Sequence, residues 1–384
     1  MLRNRLTVLI LFILSVAAIS FYGGPVTYGF FFFMLSVPLI SAAYTVLVYY
    51  RYRIYQEVGA KNIVVDTPTD FYFTLQNEDF YSFSGIKVEF FSDFSNIGEL
   101  ESNPEYELSP GAGVKKHTTV LCKYRGEYEI GIKNVIIQDY LRLFSINFKN
   151  RETLRAIVKP RLVILDSLST DPAFVLRDAP FNPSNPDIPV REYVIGDDIK
   201  NINWKVSAHT GKPQVRIKTG EETSGVAIIT DSCRYSSNAF EYLPGENKVL
   251  EITIALAHYC LDKGMSVSVH TYENMPKKYL LQGIVSFENF YEAMSDFTFG
   301  ASNTSAKLFS TIERASFSSC STAFMVVQKL SEETLLFAKE LNKNGIAVVI
   351  YHVCDEAESK ENTDFDKNAV YKRVGYEDRI KEVL

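Results

Sequence analysis

The chain has 384 residues, 46% of them hydrophobic and 22% charged, with a formal net charge of −6. That length accommodates two or three domains with separate cores, and the modest acidic charge argues against a nucleic-acid footprint over the whole protein. Five cysteines (Cys122, Cys233, Cys260, Cys320 and Cys354) are widely spaced with no C-x-x-C, so neither a disulfide framework nor a zinc site is signalled.

From Leu6 to Tyr50 there is no Asp, Glu, Lys, Arg or His. Within residues 1–55 this stretch divides at Gly23-Gly24-Pro25 into two apolar runs, 6–22 and 26–50, each long enough for a transmembrane helix. Arg3 and Arg5 precede the first run and Arg51 and Arg53 follow the second, while the connecting turn is uncharged. The positive-inside rule then puts both termini and the soluble domains in the cytoplasm, on a multi-pass protein of the cell membrane. A cleaved signal peptide is the competing reading, but the second run would still hold the chain in the bilayer.

Residues 56–165 read as short alternating or apolar runs: 62–65, 70–76, 85–91, 115–124, 127–130, 134–138 and 154–158. Turn formers such as Asp66-Thr67-Pro68 and Ser109-Pro110-Gly111 separate them, which predicts a small all-β sandwich or barrel. Residues 166–224 combine a proline-rich linker (Pro172, Pro180, Pro183, Pro186, Pro189) with a dense polar motif.

From 225 to 384 the pattern is that of an α/β doubly wound domain. Val226–Thr230 is a buried parallel strand ending in Asp231, and Glu246–Lys263 is an apolar helix stopped by Gly264. Strands at 266–272, 322–328 and 346–353 alternate with helices near 287–297, 305–315 and 331–342. Function in such a sheet is expected at the carboxyl ends of the strands, so Asp231 is the first residue to test for chemistry. His258, Cys260, His270 and His352 lie on buried elements and read as core rather than as ligands.

The polar motif between Arg191 and Lys218 carries Arg191, Glu192, Tyr193, Gly196, Asp197, Asp198, Trp204, Lys205, Ser207 and Arg216. Three readings compete. Gly196-Asp197-Asp198 suits a turn and helix cap in a structural junction. Trp204 ringed by Arg191, Lys205 and Arg216 suits a docking surface, because Trp and Arg dominate interface hot spots. Asp197 and Asp198 with Glu192 and His209 could do acid–base or metal-assisted hydrolysis, but no nucleophile is tied to a base. Glu221 and Glu222 follow at once and weaken any nucleic-acid reading.

The hairpin, the β region, the R-E-Y-x-x-G-D-D-x-K-x-I-x-W-K-x-S-A stretch from Arg191 and the α/β region together resemble the bacterial domain-of-unknown-function 58 (DUF58) family, with a von Willebrand factor A-like domain. Tyr124–Tyr128 and Asp139–Phe144 are similar to a second signature of that family. The resemblance implies a membrane protein without established enzymatic activity, often encoded beside a MoxR-type AAA+ ATPase. The chain departs from the family at Asn203 and His209, where Asp and Arg are expected. A metal site of the von Willebrand type would read D-x-S-x-S, whereas here Asp231-Ser232-Cys233-Arg234-Tyr235 lacks both serines and Gln328 stands where another aspartate is wanted. Magnesium would demand an oxygen array that this pattern does not supply, and Arg234 would oppose it, so the site is degenerate and no cofactor is expected. The expectation is a non-enzymatic, membrane-anchored cytoplasmic scaffold or adaptor for a protein partner, a MoxR-type AAA+ ATPase by resemblance; the rival is a metal-dependent hydrolase using Asp197, Asp198 and Asp231.

Overall fold

A computed structural model of the chain describes residues 1–60, 62–98, 105–168, 190–192, 207–208, 211–216, 225–312, 317, 320–355 and 369–384. It divides into two compact units, Met1–Arg161 and Leu162–Leu384.

The first unit opens with α1 (Leu2–Tyr22) and α2 (Pro25–Arg51), both long and apolar enough to cross a bilayer. Gly23 (φ 45°) and Gly24 (φ 149°) make the reversal, which a side chain would resist, and Pro25 begins α2 where its missing N–H costs nothing. Phe12 of α1 packs on Phe31 of α2 with ring centroids 5.7 Å apart.

Among the described residues eleven strands follow: β1 (Arg53–Val58), β2 (Ile63–Val64), β3 (Thr69–Gln76), β4 (Phe83–Phe90), β5 (Ser95–Ile97), β6 (Glu105–Leu108), β7 (Gly113–Cys122), β8 (Gly126–Ile130), β9 (Ile132–Gln138), β10 (Ser145–Lys149) and β11 (Leu154–Lys159). They form two four-stranded sheets, β1-β3-β7-β5 and β10-β9-β4-β6, and a third, β2-β11-β8. Inward residues of the two larger sheets, among them Phe71, Phe73, Leu75, Ile86, Val88, Val135 and Ile137, share one core. Val48, in the last turn of α2, is fully buried in that core as well. The Tyr128 hydroxyl donates to the Tyr124 carbonyl four residues back (2.8 Å), a corner of the kind found in β-sandwiches. The expectation of seven strands omitted β1, β5, β6 and β10. β10 is an edge strand whose residues alternate only between exposed and half-buried, and β5 and β6 are three and four residues long, so none carries a strong hydrophobic period.

The second unit contains a two-stranded ribbon, β12 (Val190–Glu192) with β13 (Gln214–Arg216), and a six-stranded sheet. The sheet uses β14 (Gly225–Thr230), β15 (Val267–Glu273), β16 (Met275–Leu281), β17 (Cys320–Val327), β18 (Ala347–Val353) and β19 (Ala369–Val374) in the order β16-β15-β14-β17-β18-β19. All its pairings are parallel except β15–β16, a hairpin closed through Asn274 in the left-handed region (φ 60°). The helices are α3 (Ala239–Asp262), α4 (Ile284–Ser295), α5 (Ser305–Thr311), α6 (Glu332–Lys343) and α7 (Ile380–Val383).

Alternation along the strands separates two cores. Val226 and Ile228 face the cluster that holds α3, α4 and α7, while Ala227 and Ile229 face the cluster that holds α5 and α6. Val163, Leu165 and Leu168, just after the division, are buried in the first of these. Several elements depart from expectation, among them β19 and α7, for which no strand or helix was foreseen. α3 starts seven residues before Glu246, because Asn238 caps it by accepting from Phe240 N (3.2 Å) and the helix continues through Pro244. β16 was not foreseen; its exposed-to-half-buried pattern is that of a polar edge strand.

Candidate functional site

In the six-stranded sheet the strand order reverses between β14 and β17, and the carboxyl ends of such neighbours are where an open parallel sheet forms its crevice. Asp231 follows β14 and Gln328 follows β17, so the two stand side by side at that point.

The Asp231 side chain is buried and both its oxygens are engaged. Oδ1 accepts from Cys233 N (3.0 Å), and Oδ2 accepts from the Tyr235 hydroxyl (2.9 Å) and from Gln328 N (3.2 Å). Burial pushes the carboxyl up to about 6, against the opposing pull of these hydrogen bonds. Burial likewise raises the Tyr235 phenol, with the Asp231 charge adding to it, so Tyr235 stays a donor. Gln328 Nε2 donates to the Cys233 carbonyl (3.2 Å) and ties the two strand ends together a second time.

The residues around this carboxylate are also committed. Ser232 Oγ donates to the Thr230 carbonyl (3.3 Å) and accepts from Tyr272 N (3.1 Å). Cys233 bridges to Gly300. Arg234 turns away from Asp231 and makes a two-pronged ion pair with Glu246, Nε to Oε1 at 2.6 Å and Nη2 to Oε2 at 2.9 Å, with its guanidinium 3.9 Å from the centre of the Tyr242 ring. The expected opposition of Arg234 to a cation at Asp231 is therefore corrected: Glu246, which is 2% exposed, holds and neutralises that charge.

A magnesium ion of the von Willebrand type does not fit this donor set. N–H and O–H donors occupy the carboxylate, the next two motif positions are a thiol and a phenol, and the partner strand offers an amide. Among the described residues no group of three or more His, Cys, Asp and Glu could hold a metal ion. Glu246 and Tyr235 are the members of this cluster that sequence reading missed. The signal for Tyr235 is its place four residues after Asp231, where the metal-binding motif would have its second serine.

Of the polar motif, Arg191 and Glu192 lie on β12, opposite Val215 and Gln214 of β13, and Arg216 pairs in register with Val190. Ser207 is buried in a short helical segment, and its carbonyl accepts from Gly211 N (2.9 Å) in a turn where Gly211 takes φ 71°. Tyr193, Gly196, Asp197, Asp198, Trp204, Lys205 and His209 lie outside the described residues. His270 and Cys260 are buried, as expected of core residues, whereas His258 is half-buried against Phe287 and His352 Nδ1 is 2.9 Å from the Tyr371 hydroxyl.

Fold and site together define a chain of two units: an apolar helical hairpin with a β unit, and an α/β unit whose edge carboxylate is enclosed by its own donors. Residues 189–282, from the start of β12 to the end of β16, match the family model described as "Protein of unknown function DUF58", which supports that family for this part of the chain. Curated proteins gave no match.

Solved structures similar to parts of the chain include a CARDB domain from Pyrococcus furiosus (16% identity, 28% of this chain and 86% of that one, TM-score 0.19). A FixG-related protein from Vibrio parahaemolyticus is 11% identical over 28% of this chain and 97% of that one, with a TM-score of 0.20. Proximal thread matrix protein 1 from the mussel byssus is 10% identical over 39% of this chain and 43% of that one, with a TM-score of 0.29. Similarity at this level carries no functional argument.

Proposed function

We propose that the protein is a membrane-anchored scaffold that presents a doubly wound, von Willebrand factor A-like domain with a degenerate metal site to a protein partner on the cytoplasmic side. The observation that carries this reading is the enclosed Asp231. A carboxylate at the crevice of a parallel sheet, with both oxygens held by Cys233 N, Tyr235 Oη and Gln328 N, is a structural knot and leaves the edge to recognition. The strand order, which numbered within the sheet runs 3-2-1-4-5-6 with an antiparallel edge, supports the domain type. The hairpin supports the anchor. A MoxR-type AAA+ ATPase is the partner that the family resemblance favours, with Trp204 as anchor and Arg191, Lys205 and Arg216 around it.

Two measurements test this. Calorimetry of the detergent-solubilised protein with magnesium and manganese should give no saturable heat, and tight binding lost in Asp231→Ala would defeat the metal-free reading. A pull-down from solubilised membranes should recover the ATPase with the unaltered protein and lose it with Trp204→Ala at unchanged circular dichroism. Equal recovery from both would reject Trp204 as the anchor.

A further inference from the structure

The loop Asp139–Phe144, similar to the second family signature, has no part in the site above, yet it touches both helices of the hairpin. Asn4 Nδ2 of α1 donates to the Leu141 carbonyl (2.8 Å) and Arg5 Nε to the Leu143 carbonyl (2.6 Å). From α2, Ser41 Oγ donates to Asp139 Oδ2, and the Tyr44 ring packs on Tyr140 with centroids 5.1 Å apart.

These contacts fix how far along the hairpin the loop sits. Arg5 is about 25 Å along α1 from Tyr22, and Ser41 is about 24 Å along α2 from Pro25. Both distances fall short of the ~30 Å thickness of a bilayer's hydrocarbon core. If the Gly23-Gly24 turn lies at one face of the membrane, the loop lies at the acyl boundary of the other. There Tyr140, Leu141 and Phe144 are 57%, 48% and 38% exposed.

The backbone of the loop is fitted to that depth. Irregular chain near hydrocarbon must have its polar groups paired. Leu141 N and Phe144 N donate to the Asp139 carboxylate (3.1 and 2.7 Å), Arg142 N donates to the Asp139 carbonyl (2.9 Å), and Asn4 and Arg5 cover two carbonyls. Arg142, at φ 54°, pairs its side chain with Glu105 (3.1 Å).

We propose that Asp139–Phe144 is an interfacial membrane anchor, its Tyr140, Leu141 and Phe144 side chains entering the headgroup–acyl boundary of the leaflet where the hairpin ends. This rests on the reading that the hairpin spans a bilayer. The β unit would then be held to the lipid surface at a second point besides α2, as an aromatic and an aliphatic group at an interface would hold it.

The test uses the full chain in phosphatidylcholine vesicles, with tryptophan as probe and with lipids brominated near the glycerol backbone, for the loop probes, and at mid-chain, for the control, as quenchers. The Trp204 signal of the unaltered protein is subtracted. Leu141→Trp and Tyr140→Trp are the loop probes, each checked by circular dichroism, and Phe32→Trp in α2 is the control. The expected result is a loss of about half the added fluorescence at the loop probes and a comparable loss at the control. Loop probes unquenched beside a quenched Phe32→Trp would overturn the proposal and leave the anchor reading standing, including the case in which a second copy covers the loop. An unquenched control would overturn both.

Discussion

The Tyr235 hydroxyl donates to Oδ2 of Asp231 at 2.9 Å, from the position where a D-x-S-x-S metal motif would carry its second serine. A group that would help hold a cation is thus replaced by one that occupies the carboxylate. Tyr235→Phe removes the donor and leaves a buried oxygen with Gln328 N alone. Urea unfolding should show a loss of about 1–2 kcal/mol, with the carboxyl moved further upward.

The pH dependence of stability should contain two opposed slopes. Asp231 is raised to about 6 by burial, so the folded state binds the extra proton and its cost is fully present above pH 6 and relieved as pH falls towards 4. His270 is lowered to about 4, by burial first and by Lys278 second, so its neutral form is favoured and stability is lost as pH falls from about 6.5 towards 4. The unaltered protein should be nearly flat across the overlap. Asp231→Asn should make stability rise with pH there, and His270→Leu should make it fall, each by up to about 2–3 kcal/mol in chemical unfolding at stepped pH. Parallel profiles in all three proteins would reject the assignment.

The Arg234–Glu246 pair should behave as a coupled unit. Arg234→Ala leaves Glu246 without its two-pronged partner in a site almost closed to water, and a loss of about 2–4 kcal/mol is expected. Arg234→Lys should recover less than half of it, because an ammonium cannot reproduce the fork. A double-mutant cycle with Glu246→Gln would read the coupling directly.

Gly85 occupies the register shift of β4 with φ 68°, and a Cβ there would meet the Gln138 carbonyl oxygen at 2.7 Å and Gln138 Cβ at 2.9 Å. Strand β9 cannot move aside without losing its pairing to β4. Gly85→Ala should cost at least about 2 kcal/mol in thermal or urea unfolding of the solubilised protein.

Much of the architecture was readable because it rests on strong periods. Val226–Ile229 is apolar without a break because both faces of β14 are covered, and the hairpin is uncharged from Leu6 to Tyr50. What escaped had weak or local signals. The helix was expected from Glu246, but the cap at Asn238 sets its start at Ala239, seven residues earlier. The site was half legible: the sequence shows which serines Cys233 and Tyr235 replace, while the use of Tyr235 as a donor to Asp231, and of Glu246, twelve residues on, as the partner of Arg234, depends on how the turn after β14 folds back, which no spacing rule encodes.

Between the last residue of α2, Arg51, and the first of β1, Arg53, there is only Tyr52. With Val48 and Thr45 also buried, the β unit has no tether that could bend. It is a lever fixed to its shaft, so under the proposed anchoring a bilayer thick or thin enough to change the tilt of the hairpin would swing the β unit through the same angle.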